Sequence, residues 1–271
     1  MSRAPATAKL NLALVVGRRR DDGKHDVATV LQRLDLADRV VVEPSAGLSV
    51  DGFDDTIVRK ALGALAEEAG VPPAWRVRLT KRVPAGAGLG GGSSDAATAL
   101  RLANETLAEP VPAERLRELA AAVGADVPFF LEQGPQLGEG DGTELHPVAL
   151  PQDYWVLLLH PSGAAKPSTA AVYAAFEQRD GGKGFRTRRA ALRRALEAVS
   201  RPQDLAGLPA NDLANSKLAD ELRALGAFRA DVTGAGPVVY GLFRHLEPAR
   251  AARRAAKRFG RTWLTVPAWY G

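Results

Sequence analysis

The stretch from Pro84 to Asp95 carries five glycines and two serines and has the composition of a loop that binds phosphate. Before it, residues 75–80 alternate apolar and polar side chains, which is typical of a strand, and after it residues 96–107 repeat apolar side chains at helical spacing. A strand, a glycine-rich turn and a helix N-terminus present free backbone N–H groups and the positive end of a helix dipole, and both stabilise an anion. We expect Ser93 or Ser94 to cap the helix or to turn a hydroxyl toward a phosphate or its magnesium.

The same glycine-rich residues allow other interpretations. Glycine-rich turns are common, and one alternative is a flexible connection. The usual P-loop is excluded, because no lysine occurs between Lys81 and Lys166. Gly86, Gly88 and Gly91 satisfy the dinucleotide pattern, but a proline breaks the strand before it and no acidic residue closes a second strand at the required distance.

Three polar residues elsewhere could complete a site around such a loop. Lys9 and Asn11 share one face of a predicted strand over residues 9–16, where they are either a solvated surface pair or groups that project into a cleft. Asp126 lies among small and apolar neighbours in residues 124–130 (GADVPFF). Its carboxylate is therefore poorly solvated and needs either a bonding partner or a functional role. Its alternative role is to cap a following helix.

The elements that must position these residues suggest two domains of the α+β class. A chain of 271 residues suits two domains, and a composition shift places the boundary near residue 150, giving residues 1–150 and 151–271. A hydrophobic fraction of 46% and a charged fraction of 25% are ordinary for a globular protein, and the lack of cysteine excludes disulfides and thiolate nucleophiles. Without a signal-like or membrane-spanning apolar run, we expect a soluble cytoplasmic protein with no membrane partner.

The chain is basic, with a formal net charge of +5 and a pI of about 9.7. Much of the excess lies in residues 186–194 and 250–258, and both runs also repeat apolar residues at helical spacing. We therefore interpret the runs as solvated faces of amphipathic helices. A nucleic-acid surface is the alternative, but aromatic residues are not interleaved with the charges, so no nucleic-acid partner is expected.

The motif Pro-x-x-x-Gly-Leu-Gly-x-x-Ser-Ser, which begins at Pro84, resembles the phosphate-binding signature of the kinase superfamily of galactokinase, homoserine kinase, mevalonate kinase and phosphomevalonate kinase. Together with residues 8–12 (AKLNL), 124–130 (GADVPFF) and 233–237 (TGAGP), it resembles the kinases in that superfamily that act on 4-diphosphocytidyl-2-C-methyl-D-erythritol in non-mevalonate isoprenoid biosynthesis. The resemblance implies a ribosomal-protein-like βαβ N-terminal domain, a ferredoxin-like α+β C-terminal domain and a nucleotide site between them. It also implies ATP-dependent phosphorylation of the substrate's 2-hydroxyl.

The resemblance assigns roles to individual residues of the reaction site. Asp126 is implied to take the proton of the acceptor hydroxyl, Lys9 to be its cationic partner, and Asn11 to hydrogen-bond the substrate. Lys81 matches a position near the adenine. Magnesium is expected to arrive with ATP rather than in a protein cage, with Ser94 as the candidate contact. The residues implied to hold the ATP phosphates are Pro84, Gly86, Gly88, Leu89, Gly90, Gly91, Gly92, Ser93 and Ser94.

The cytidine end of the substrate is implied to lie against His25 and Tyr173. His25 matches a residue that reads the base, and Tyr173 matches an aromatic position that stacks on it, although taken singly they suit a surface histidine and a helix core. The family has Gly-Tyr-His where this chain has Gly23-Lys24-His25. We expect Lys24 to replace the missing ring by a cation–π contact or by reaching the diphosphate.

Two other hypotheses stay open at this point. One is a kinase of the same superfamily that acts on mevalonate or homoserine. The other is a basic RNA-binding module, because the implied N-terminal fold is shared with ribosomal and translation-factor domains. The sequence leaves the oligomeric state open between a monomer and a weak dimer.

Overall fold

Two long strands begin the chain, β1 (Ser2–Arg19) and β2 (His25–Pro44), and they pair with each other. The structure is a computed structural model that describes residues 1–53, 56–164 and 168–268. In β1, all residues from Ala6 to Gly17 are buried, so both faces of the strand are covered, including the face that carries Lys9 and Asn11. The strand predicted over residues 9–16 is therefore present and longer than predicted.

The second strand is continuous through residues that favour a turn. Asp35 and Asp38 predict a short break between two apolar segments, but β2 runs through both residues without interruption. Asp38 is 1% exposed, and its Oδ1 accepts hydrogen bonds from the backbone N–H groups of Arg82 and Val83. A buried carboxylate with its own donors is tolerated inside a strand, because its hydrogen bonds replace those lost from water.

The chain separates into two compact units, and both long strands pass from one unit into the other. The first unit contains 1–8, 36–85 and 90–133, and the second contains 9–35, 86–89 and 134–271. This division differs from the boundary near residue 150 that composition predicted, because neither unit is one continuous segment.

The first unit places helices beside a small sheet. Strand β4 pairs in parallel with β3 and in antiparallel with residues 39–44 of β2, so that β3, α1 and β4 form a βαβ unit. Helices α1 and α2 bury Leu62, Leu65 and Leu100 completely. The elements are β3 (Ser49–Asp51), α1 (Thr56–Glu68), β4 (Trp75–Thr80), α2 (Gly91–Asn104) and α3 (Ala113–Val123).

The second unit contains two further sets of strands. Residues 29–31 of β2 pair with β5, and β5 pairs with β6. The other four strands form an antiparallel sheet in the order β10-β7-β9-β8. The elements are β5 (Gln136–Glu139), β6 (Glu144–Pro147), β7 (Trp155–Pro161), α4 (Thr169–Gln178), α5 (Phe185–Glu197), α6 (Lys217–Ala224), β8 (Arg229–Val232), β9 (Val239–Phe243), α7 (Leu246–Ala256) and β10 (Gly260–Thr265).

The four-stranded sheet has the β-α-β-β-α-β order of a ferredoxin-like unit, counting α4 to α6 as the first helical layer. Its core includes Leu157, Leu222, Val239 and Phe243, each at most 1% exposed. The expected α+β class is confirmed. Among the described residues, no helix has the length and apolar character needed to span a bilayer.

Candidate functional site

Lys9 and Asn11 lie on β1 inside the second unit and are buried, at 4% and 7% exposure. The ammonium group of Lys9 donates a 2.8 Å hydrogen bond to Oδ1 of Asn11, and Nδ2 of Asn11 donates to Oγ1 of Thr29 at 2.8 Å. The backbone N–H of Asn11 donates to Oγ1 of Thr233 at 3.0 Å. Of the two alternatives, the solvated surface pair is therefore wrong.

The glycine-rich loop has the backbone conformation that requires glycine. Gly86, Gly88 and Gly90 have φ values of 69°, 77° and 71°, in a region that side chains with a Cβ rarely adopt. A Cβ on Gly88 would lie 2.9 Å from the carbonyl oxygen of Gly236 and 3.1 Å from that of Thr233. The turn at residues 233–236 therefore packs directly against the loop inside the second unit.

The same loop is tied to the strand that carries Lys9. The backbone N–H of Lys9 donates a 2.9 Å hydrogen bond to the carbonyl oxygen of Leu89, whose side chain is buried. A Cβ on Gly234 would meet Oδ1 of Asn11 at 3.3 Å and Nζ of Lys9 at 3.8 Å. The second unit thus brings together the Lys-x-Asn strand, residues 86–89 of the loop and the turn, as three of the four sequence segments had implied.

Helix α2 begins after Gly90, and the prediction that a serine caps it is wrong. The N-cap is Gly90 in the left-handed conformation, and it makes no side-chain cap bond. Gly91, Gly92, Ser93 and Ser94 form the first turn. The backbone N–H of Ser94 donates to the carbonyl oxygen of Gly90 at 2.9 Å, whereas those of residues 91–93 precede the first acceptor within the helix. Pro84 is half-buried at the entrance to the loop.

Ser94 has the environment of a ligand group. Its side chain is 1% exposed, and its Oγ has no hydrogen-bond partner among the described residues. A buried hydroxyl without a hydrogen-bond partner is energetically costly. The hydroxyl of Ser94 is therefore suited to contact a bound cation through its oxygen or to donate a hydrogen bond to a phosphate oxygen. The described residues hold no cluster of three or more histidine, aspartate and glutamate side chains placed for a metal ion.

Lys81 is the centre of a buried ion triad in the first unit. Its Nζ donates to Oδ2 of Asp38 at 2.5 Å and to Oδ2 of Asp95, while both carboxylates are 0% exposed. Burial opposes the charge on Lys81, but the two hydrogen bonds outweigh it and raise the pKa of the ammonium above its usual value. The nitrogen also lies 5.6 Å from the ring centroid of Phe53. The expected contact of Lys81 with adenine stays a prediction.

His25 and Tyr173, the two residues assigned to the cytidine, meet in the second unit. Their ring centroids are 4.6 Å apart with an interplanar angle of 37°, and Phe176 meets the histidine edge-on at 6.4 Å. Nε2 of His25 lies 2.9 Å from Oε1 of Glu177. Tyr173, Phe176 and Glu177 all lie on helix α4, which is capped by the side chain of Ser168.

Lys24 is engaged by a carboxylate. Its Nζ donates to Oδ2 of Asp141 at 2.5 Å. The other carboxylate oxygen, Oδ1, accepts hydrogen bonds from the hydroxyl and the backbone N–H of Thr143. Partial burial raises the pKa of Asp141, but the bonds from Lys24 and Thr143 outweigh it and lower that pKa to about 2. The structure thus gives Lys24 a partner that the sequence analysis did not identify.

Asp126 belongs to the first unit and is half-buried in a turn after α3. The following 3-10 helix Pro128–Leu131 has Val127, the residue after Asp126, at its N-cap position. The pairing of Lys9 with Asp126 stays a prediction.

Several residues that contact the predicted site residues are not themselves predicted from the sequence. Thr29, Asp38 and Glu177 contact predicted site residues, but each is distant from its partner in sequence and carries no motif of its own. Asp95 was the one with a local signal, because it directly follows the two serines of the loop.

Comparison with known proteins places the chain among kinases. Residues 56–134 match the GHMP kinases N terminal domain, and residues 188–262 match the GHMP kinases C terminal family. A 4-diphosphocytidyl-2-C-methyl-D-erythritol kinase of Geobacter sulfurreducens is 34% identical, over 96% of each chain. One of Thermus thermophilus is 39% identical, over 95% of this chain and 94% of its own.

A solved structure agrees with these sequence relatives. The crystal structure of a 4-(cytidine 5'-diphospho)-2C-methyl-D-erythritol kinase superposes with a TM-score of 0.81 at 35% identity. The superposition covers 98% of this chain and 99% of that one.

Proposed function

This chain belongs to the GHMP kinases and, within them, to the 4-diphosphocytidyl-2-C-methyl-D-erythritol kinase family, and from that premise we propose the reaction that it performs. The chain transfers the γ-phosphoryl group of ATP to the 2-hydroxyl of 4-diphosphocytidyl-2-C-methyl-D-erythritol. The family relatives favour this acceptor over mevalonate or homoserine.

One observation carries the proposal beyond family membership. The buried ammonium of Lys9 is bonded to Asn11, and both lie beside the turn that packs against Gly88 of the phosphate loop. A fixed cation and a fixed amide next to a glycine-rich loop can stabilise charge that develops on a phosphoryl group. Phosphoryl transfer depends mainly on such positioning and electrostatics.

The loop and the start of α2 hold the triphosphate in this proposal. The N–H groups of residues 90–93 face the phosphates, and the positive end of the helix dipole stabilises the phosphate charge. ATP enters with magnesium as its counterion, and the buried, unpartnered hydroxyl of Ser94 fits a contact to that ion. Magnesium supplies charge neutralisation of the phosphates when it is bound.

Asp126 and Lys9 act on the acceptor. The acceptor oxygen forms a new P–O bond while the bond between the γ-phosphorus and the β,γ-bridging oxygen breaks. ADP leaves with the electron pair of that bond, and the hydroxyl proton passes to the carboxylate of Asp126. Lys9 stabilises the negative charge at the transferring group, and Asn11 hydrogen-bonds the acceptor.

His25 and Tyr173 hold the cytosine in the second unit. The centroids of their rings are already 4.6 Å apart, and Oε1 of Glu177 lies 2.9 Å from Nε2 of the histidine. A base can stack on Tyr173 while His25 provides a polar edge, and stacking on an aromatic ring contributes about 1–3 kcal/mol per base.

The test is phosphoryl transfer by the purified chain with ATP, magnesium and the cytidyl acceptor, followed by phosphorus NMR of the product. We expect a new phosphomonoester on the acceptor and none on mevalonate or homoserine. Asp126→Ala should keep ATP binding and lose turnover. Asp220→Ala, at a carboxylate whose side chain is 77% exposed, is the matched control and should keep turnover. Near-normal turnover in Asp126→Ala would refute the role of that carboxylate, and transfer to mevalonate alone would refute the acceptor.

A further inference from the structure

Asn211 is a buried amide whose polar atoms are all engaged. Its Nδ2 donates to the carbonyl oxygens of Val232 at 2.9 Å and Gly234 at 2.7 Å, and its Oδ1 accepts from the backbone N–H of Leu213 at 2.8 Å. Its own backbone N–H donates to Oδ2 of Asp231 at 2.9 Å. The side chain therefore bonds one end of the turn at residues 233–236 through the carbonyl oxygens of Val232 and Gly234.

The next residue ties the same segment to β1. Oδ2 of Asp212 accepts from the backbone N–H of Val16 at 2.8 Å, and the backbone N–H of Asp212 donates to the carbonyl oxygen of Leu14 at 2.9 Å. Asn211 and Asp212 thus form a brace, bonded on one side to the strand that carries Lys9 and on the other side to the turn.

The braced turn is where two parts of the proposed site meet. Thr233 accepts from the backbone N–H of Asn11, and the carbonyl oxygens of Thr233 and Gly236 lie against Gly88. Because the turn already touches both Asn11 and Gly88, a small movement of the turn displaces both Asn11 and the loop. Misplacement of reacting groups by about 1 Å can cost about 100-fold in rate.

We infer that Asn211 is a positioning residue, which acts through the carbonyl oxygens of Val232 and Gly234 to hold the turn at the distance from β1 that phosphoryl transfer requires. The expected effect of Asn211 on turnover rests on the proposed function. The expected effect of Asn211 on the phosphate loop does not depend on which acceptor the enzyme uses.

The chain offers a matched control for this residue. Asn104 is also 9% exposed, and its amide makes two hydrogen bonds to backbone, one fewer than the amide of Asn211, both with Val111, at 2.8 and 2.9 Å. It lies at the end of α2 in the first unit and has no assigned role. Asn211→Ala and Asn104→Ala therefore remove comparable buried hydrogen bonds, and a general loss of stability affects both.

The experiment measures the dissociation constant of a magnesium-bound, non-hydrolysable ATP analogue by calorimetry, together with kcat and KM. We expect Asn211→Ala to raise that dissociation constant and to lower kcat by about tenfold each, with the KM for the cytidyl acceptor within about twofold. Asn104→Ala should leave all three quantities within about twofold. Asn211→Ser, which retains one donor, is measured beside them and should give intermediate values if Asn211→Ala does not fold.

Equal effects of Asn211→Ala and Asn104→Ala on ATP affinity and kcat would overturn the inference, and so would wild-type ATP affinity in Asn211→Ser together with wild-type kcat. A wild-type chain that binds the ATP analogue but transfers nothing to the cytidyl acceptor would instead refute the proposed function. The ATP dissociation constants of the variants would then decide the role of Asn211 by themselves.

Discussion

The hydrogen bond from Nζ of Lys9 to Oδ1 of Asn11 is set by a third residue, Thr29. The hydroxyl of Thr29 donates its proton to the carbonyl oxygen of Ala13 at 2.8 Å, so its Oγ1 can only accept from Asn11. The amide of Asn11 must then turn Nδ2 toward Thr29 and Oδ1 toward Lys9. The orientation of the amide follows from the hydrogen bonds of its neighbours.

Lys9→Met tests the buried cation of this arrangement. The substitution keeps most of the side-chain volume but removes the charge, so we expect kcat to fall by about 100-fold or more while the protein remains folded. Lys60→Met is the control, because Nζ of Lys60 only bonds the carbonyl oxygen of Ala122 on an exposed surface. Steady-state kinetics with circular dichroism of both variants measures the effect, and equal kcat values for the two variants would contradict it.

Tyr173→Ala tests the cytidine contact. Loss of the ring removes a stacking surface beside His25, and we expect the KM for the cytidyl acceptor to rise about tenfold with kcat changed much less. Tyr173→Phe keeps the ring and should stay within about twofold of the wild type. A rise of KM for ATP in Tyr173→Ala, with no rise for the acceptor, would contradict the assignment.

The parts of the fold that the sequence predicted are those with strong local patterns. The glycine stretch between alternating and helical patterns predicts the strand, the loop and α2, and the apolar runs on either side of residues 233–237 are typical of a strand pair such as β8–β9. Strands β5 and β6 have no such pattern, because they are four residues each, with polar and glycine residues inside them. The sequence around Asp38 favours a break in β2, since charge normally marks a turn, but distant backbone donors accommodate the carboxylate here.

The same limit applies to the candidate site. Lys9, Asn11 and the loop glycines predict a phosphate-binding site, because this prediction depends only on residue types and their spacing along the chain. The partners of Lys81 could not be predicted, because Asp38 lies 43 positions away and only the fold brings it close. Asn211 was missed for the same reason, as it acts on a turn that is 21 to 23 positions further along.

Gly88→Ala tests the contact between the loop and the turn. The new Cβ would lie 2.9 Å from the carbonyl oxygen of Gly236, at a φ of 77° that disfavours alanine, so we expect ATP affinity to fall about tenfold or more. Gly63→Ala is the control, because apart from its own helix backbone no atom of the described residues lies within 4 Å of its Cβ position, and helix α1 favours alanine. Calorimetric titration of an ATP analogue should leave Gly63→Ala at the wild-type affinity, and an unchanged affinity in Gly88→Ala would contradict the contact.

Lys24→Met tests the pair that Lys24 forms with Asp141 and gives a pH-dependent signature. The folded-state pKa of Asp141 is lowered to about 2 from its usual 3.8, so the stability that it contributes is present above pH 3.8 and is lost as the pH falls through about 2. Because the side chain of Lys24 is 56% exposed, we expect its removal to cost only about 1 kcal/mol in the free energy of unfolding at pH 7. The difference between variant and wild type should shrink toward zero near pH 2, which urea unfolding at the two pH values measures.

The same variant decides between a structural and a substrate-binding role for Lys24. Since Nζ is neutralised by Asp141 at 2.5 Å, we expect the KM of Lys24→Met for the cytidyl acceptor to stay within about twofold of the wild type. Lys24→Arg keeps the cation, so it should restore the pH-dependent stability without changing KM. A rise in KM of about tenfold in Lys24→Met, reversed in Lys24→Arg, would instead place the cation on the diphosphate of the substrate, because a phosphate contact loses affinity when the charge is removed.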